Sequence, residues 1–236
     1  MNLNKEVWSE NDRIEFLSFL KAKERKEKVS WSQNILKTPS PVLALTTKDI
    51  VEIAGEIMKG NFKSFLDLGI FDYYEAIALY GMIISRMKSI DDFLYYLTIY
   101  LDKMDCWAHV DLLKMPLLDK HSELYLSLSK QYCFDHRIMV RRLSLFILFQ
   151  YVKDKGFLPY ILESLLDFHD EQEYYVVMMA GWLLSECIIL HRDETLKFLE
   201  NNKLNKKIQN KGIQKCRESK RLSTEEKDYL QKYKVK

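Results

Sequence analysis

Along most of the chain, apolar residues recur at the three-, four- and seven-residue spacing of one helix face. In TTKDIVEIAGEIMKG, Ile50, Ile53, Ala54 and Ile57 keep this spacing, with Thr47 as the expected N-cap and Gly60 as the expected stop. WSENDRIEFLSFLKAKERKEK starts at a Ser9 or Asn11 cap signal and runs amphipathically. SWSQNILKTPSPVLAL is the one clear irregular connection, because Pro39 and Pro41 block a helix. Downstream, the pattern predicts helical segments at about 72–87, 90–101, 105–113, 119–131, 136–153, 157–166, 172–190, 193–201, 205–219 and 223–233.

Three of these segments are alike: DYYEAIALYGMIISRM, DHRIMVRRLSLFILFQYV and EQEYYVVMMAGWLLSECI. Each opens polar, turns apolar almost all round, and is followed by a shorter amphipathic helix. A helix apolar on every side must be covered on every side. Stacked helical hairpins do this, each pair covering its neighbour. The second and third copies begin at Asp135 and Glu171, 36 residues apart, near the period of helical-repeat families. The expected architecture is all-α: a curved α-solenoid of HEAT-like helical hairpin repeats, in one domain over residues 1–236. Only 7 glycines and 4 prolines in 236 residues argue against a β-sandwich or barrel, which needs many more turns.

Net charge is only +2, but the charge is unevenly placed. Lys203–Lys236 holds twelve basic residues against four acidic ones, and Lys21–Lys37 holds six against two. Basic ends around a near-neutral middle suit a polyanionic partner, and they equally suit a solvated lysine-rich surface. Cys106, Cys133, Cys187 and Cys216 form no CxxC pair, which disfavours a zinc site or disulfide framework and fits a reducing, cytoplasmic setting. The opening MNLNKEVWSENDR is too polar for a signal peptide, and LSLFILFQYV is too short to span a bilayer.

Candidate chemistry begins at DCWAHVDLL. Trp107 and Asp111 stand one helical turn apart on one face, beside an apolar stripe of Cys106, Val110 and Leu113. A carboxylate at the border of a core is costly unless it is paired or has a task. An exposed aspartate next to a half-buried tryptophan explains the pair equally well. Arg141 and Arg142 sit in a nearly all-apolar helix and need a carboxylate or phosphate for their donors. Trp182 follows Gly181, whose cost in a helix is explained if another element packs close to the backbone there. Cys106 with His109 is a weak metal signal, and no metal or cofactor is expected.

Taken in order, these segments resemble the DNA alkylation repair family, the HEAT-like-repeat alkylpurine DNA glycosylases (AlkD-like). The matching motifs are CWAHVD with Trp107 and Asp111, VRRLSLF with Arg142 and its neighbour Arg141, AGWLLSE with Trp182, and the basic NKKIQNKGIQKCRESKRL containing Lys211 and Lys215. The resemblance covers about residues 20–220. It departs from the family at Ala108, where relatives often carry Asp, and at NILKTPSPVLAL, where they have a short glycine-containing turn. The resemblance implies hydrolysis of the N-glycosidic bond of N3- or N7-alkylated purines in duplex DNA; a monomer is expected because repeat solenoids cap their own ends. It implies Asp111 as the catalytic carboxylate, Trp107 and Trp182 beside the lesion, and Arg142, Arg141, Lys211 and Lys215 on the DNA backbone. A non-catalytic DNA-binding relative and a protein-interaction scaffold are the alternatives.

Overall fold

The computed structural model describes all 236 residues: fourteen α-helices joined by short turns and 3-10 segments, with no strand. The chain forms two compact units, Met1–Lys120 and His121–Lys236, each with its own core.

The first unit comprises α1 (Glu10–Ala22), α2 (Lys26–Leu36), α3 (Thr47–Ile57), α4 (Phe62–Asp67), α5 (Tyr74–Ile84), α6 (Ile90–Leu101) and α7 (Trp107–Asp111), and every residue of α5 is buried. Helices α3, α6 and α7 all pack on it. Covering from several sides is what its almost unbroken apolar sequence requires. In the second unit, α8 (Ser122–Tyr132) packs on α9 (Ile138–Tyr151), and α9 on α11 (Tyr174–Leu190). Helix α11 is also covered by α12 (Arg192–Asn201) and α13 (Lys206–Glu218), while α10 (Leu158–Ser164) and α14 (Thr224–Leu230) complete the unit. This face-to-face packing of helical hairpins is the organisation of a helical-repeat protein.

Several local expectations are corrected. SWSQNIL is helical, because α2 runs to Leu36 and ends on Lys37 in the left-handed region, φ 53°. Proline restricts only its own residue and the one before it, so Pro39 leaves the preceding helix free. The run from Ser9 to Lys28 is two helices, broken where the Arg25 N–H donates to the Leu43 carbonyl at 2.9 Å. The cap of α3 is Thr46 and not Thr47. The Asp49 N–H donates to its hydroxyl at 3.1 Å and the Asp49 carboxylate accepts its N–H at 2.9 Å, a reciprocal capping box. Helix α3 ends at Ile57, and Gly60 serves a different end: a Cβ there would stand 2.4 Å from the Lys5 carbonyl oxygen. Segment 105–113 contracts to the five residues of α7.

The close approach expected at Gly181 is present. A Cβ on Gly181 would meet the Lys211 Cβ at 2.8 Å and the Gly212 nitrogen at 3.2 Å. Gly181 therefore lets α13 lie directly on α11. Gly181→Ala is expected to cost roughly 1–3 kcal/mol through overpacking, read as a lower Tm. Lys211→Ala in the same background should leave most of that loss, because the Cβ contact persists.

Candidate active site

Helix α7 is too short to be stable by itself. Cys106, extended at φ −146° and ψ 166°, leads into it, and His109 holds it in place. The His109 ring is fully buried and stacks on Tyr74, centroids 4.7 Å apart. Its Nδ1 lies 3.1 Å from the Asp105 Oδ1, and its Nε2 lies 3.1 Å from the Tyr74 carbonyl oxygen. Protons on both ring nitrogens would satisfy both acceptors; the Asp105 N–H also approaches Nδ1, at 3.4 Å. Asp105 also accepts from the Thr38 hydroxyl at 2.7 Å and from the Ser40 hydroxyl. The Tyr100 hydroxyl donates to the His109 carbonyl at 2.9 Å. One ion pair thus joins α7, the start of α5 and the connection after α2.

Asp105, Cys106 and His109 place an oxygen, a sulfur and a nitrogen within 4.8 Å of one another, the atoms a metal ion would need. Both His109 nitrogens already face acceptors, and the Cys106 Sγ is 3.7 Å from Nδ1. The group is satisfied as a hydrogen-bonded ion pair.

The pair makes stability pH-dependent. Burial disfavours the imidazolium, but the Asp105 hydrogen bond and the neighbouring Cys106 outweigh it and raise His109 from 6.5 to about 9. Burial likewise disfavours the Asp105 carboxylate, but hydrogen bonds from His109, Ser40 and Thr38 outweigh it and lower Asp105 to about 2. A raised pKa stabilises below the unfolded value and loses that contribution as pH rises through the folded value; a lowered carboxylate pKa does so as pH falls.

With α7 held, Trp107 and Asp111 line a cavity of about 320 Å³. The Trp107 indole N–H donates to the Ile35 carbonyl at 3.2 Å, satisfying one of the last carbonyls of α2. Cys106, Val110 and Leu113 are buried, as the stripe predicts. The cavity is also lined by Trp31, Tyr74, Glu75 and Ala108. Sequence reasoning missed Trp31, Tyr74 and Glu75. Trp31 with Ile35 was available as an i, i+4 pair, and Glu75 as the one acid inside an apolar helix.

Glu75 is fully buried. Both its oxygens accept the Leu43 N–H, at 3.1 and 3.0 Å, and one accepts the Leu45 N–H at 3.3 Å. Ala44 between them adopts the left-handed region at φ 60°, a strained choice for a residue with a Cβ, and this aims both N–H groups at one carboxylate. Burial pushes Glu75 above the ordinary carboxylate range against the pull of these backbone bonds. No lysine or arginine lines the cavity.

The other predicted residues lie in the second unit. Arg142 is buried and donates to the Tyr175 carbonyl at 2.7 Å. Arg141 is committed to structure: it pairs with Glu171 at 2.7 Å and donates to the carbonyls of Asp135 and His136. Trp182 is 36% exposed, with its ring 4.4 Å from Phe149. Lys211 donates to Gln214 at 2.9 Å, and Lys215 pairs with Glu218 at 3.1 Å.

A family model described as DNA alkylation repair enzyme matches residues 17–216. No curated protein matches the chain.

Thermal unfolding from pH 5.5 to 9.5 is expected to show Tm falling above about 6.5 and through about 9, the window set by His109. His109→Gln should flatten that alkaline limb. An unchanged wild-type Tm across the range would rule out the imidazolium.

Proposed function

We propose, from the premise that the chain belongs to the DNA alkylation repair enzyme family, that it is a DNA glycosylase for cationic purines alkylated at N3 or N7. The observation that carries this reading is the cavity itself. Aromatic rings of Trp31, Tyr74 and Trp107, two carboxylates of Glu75 and Asp111, and no cationic side chain line it. Such a lining favours a flat cation, held by ring faces and by negative charge.

The chemistry suits a single catalytic carboxylate. N3 or N7 alkylation already makes the purine a good leaving group, so no general acid is needed to protonate it. The C1′–N bond breaks with its electron pair moving to the base, which leaves neutral. Water adds through its oxygen to C1′, and its second proton passes to solvent. Asp111 stabilises the oxocarbenium-like sugar and orients the water. Ordinary glycosidases use two catalytic carboxylates because their leaving groups need an acid. Glu75 has both oxygens on backbone N–H groups, which suits it to shaping the cavity and its charge. By the order of the family motifs, Trp182 attends the lesion while Arg142, Arg141, Lys211 and Lys215 attend the backbone of the duplex. The whole chain serves as one repair domain and acts as a monomer without metal or cofactor.

Incubation with methylated duplex DNA is expected to release free 3-methyladenine or 7-methylguanine. Asp111→Asn should lower that rate by about 10²-fold or more, the scale of losing one well-placed electrostatic group. DNA binding without base release would leave a non-catalytic relative. Glu75→Gln is expected to lower the preference for 7-methylguanine over a neutral 7-deaza analogue in competition binding. An unchanged preference would remove Glu75 from charge selection.

A further inference from the structure

The run DCWAH carries three kinds of metal-binding donor: the Asp105 carboxylate, the Cys106 thiol and the His109 imidazole. The fold brings one atom of each within 4.8 Å of the other two. The Cys106 Sγ and the His109 ring are buried, and the Asp105 side chain keeps 19% of its surface exposed. The other cysteines are placed differently. Cys133 donates to the Lys130 carbonyl at 3.1 Å, and the Cys216 Sγ lies 3.8 Å from the Ser185 carbonyl.

Hydrogen bonding alone serves this group unevenly. The Tyr74 carbonyl can only accept, so Nε2 of His109, 3.1 Å away, carries a proton. Nδ1 then has a single site, a proton or a lone pair, and three groups crowd it. The Asp105 Oδ1 is at 3.1 Å, the Asp105 N–H at 3.4 Å and the Cys106 Sγ at 3.7 Å. A proton on Nδ1 serves the carboxylate best and leaves the sulfur at the longest contact. A cation among Oδ1, Sγ and Nδ1 serves all three donors at once.

The surroundings suit such an ion. A metal-bound histidine donates its other N–H to a carbonyl or carboxylate, which fixes ring and tautomer, and Tyr74 is that carbonyl. The ligating carboxylate is oriented in turn, here by the hydroxyls of Thr38, at 2.7 Å, and Ser40. Tetrahedral zinc holds nitrogen, oxygen and sulfur ligands about 3.4–3.6 Å apart. The observed 3.1 and 3.7 Å lie on either side of that range. We infer that Asp105, Cys106 and His109 form a site for one thiophilic divalent cation of the zinc class, which replaces the protons of the metal-free ion pair. Thiolate and imidazole select such an ion over magnesium or calcium. Three protein ligands are one fewer than in closed structural zinc sites, so a chelator should remove the ion. The ion would clamp the start of α7. The inference does not rest on the function proposed above and gives the ion no part in base release.

The test is a Co²⁺ titration of the full chain after treatment with a chelator. One ion per chain should bind, with a thiolate-to-cobalt charge-transfer band in the near ultraviolet. Zn²⁺ should bleach the band and Mg²⁺ should not. Binding should tighten as pH rises, because the ligands must shed protons. Cys106→Ser should lose the band, and Cys133→Ser should keep it. Asp105→Asn retains sulfur and imidazole, so it should keep the band but need about tenfold more Co²⁺ or beyond, the scale of losing even an outer partner. Zn²⁺ should raise the Tm of wild type and not of Cys106→Ser. Absence of the band in folded wild type overturns the site, as does a band that persists in Cys106→Ser. Should Cys106→Ser fail to fold, equal Co²⁺ affinity in wild type and Asp105→Asn overturns it as well.

Discussion

The fully buried His109 ring lies between the Asp105 carboxylate and the Tyr74 carbonyl, with Nδ1 3.1 Å from the first and Nε2 3.1 Å from the second. The geometry of the first unit's cavity follows from that. A five-residue helix has too few backbone hydrogen bonds to hold itself, so α7 takes its position from the partners of its one buried polar side chain. Those partners reach the connection after α2 through Thr38 and Ser40, and the start of α5 through Tyr74. Breaking a buried pair by removing one member leaves an uncompensated charge, costing of order 3–5 kcal/mol. His109 points into the core, and Trp107 and Asp111 lie on the other side of the same short helix, at the cavity.

A second polar tie works beside the first. Glu75 gathers backbone N–H groups of Leu43 and Leu45, and the left-handed Ala44 between them is the local strain that this arrangement sustains. A buried carboxylate with no cationic side chain in its cavity is costly in a stable fold. In a cavity for a cationic base the same charge is an asset, because the ligand supplies the missing partner. The two ties thus do different work: His109 holds the short helix that carries Trp107 and Asp111, and Glu75 places a carboxylate in the wall of the cavity.

In the second unit, the arginine doublet of the all-apolar helix divides its labour. Arg141 is held by Glu171 and two carbonyls, while the neighbouring Arg142 is buried with the Tyr175 carbonyl on its donors. Successive residues on a helix point about 100° apart, so adjacent arginines reach different surroundings. The exposed edge of Trp182 and the close seat of α13 on α11 come from one place in the chain, where Gly181 removes the side chain that would have kept the helices apart.

The sequence by itself determined the all-α class, the positions of most helices, the need to cover α5, α9 and α11, and the pairing of Trp107 with Asp111. These rest on local periodicity and on the two residues being one turn apart, which no distant contact can alter. Even the close approach at Gly181 was written locally, as a glycine where alanine would otherwise serve. Only the tertiary structure decided that α7 is five residues long, that His109 lies between Asp105 and Tyr74, and that Trp31, Tyr74 and Glu75 share a cavity with Asp111. The physical reason is sequence distance. A hydrogen bond from Leu43 to Glu75, or from Lys114 to Ser85, joins residues about thirty positions apart. Such bonds leave no period to read, and only the packed chain brings their partners together.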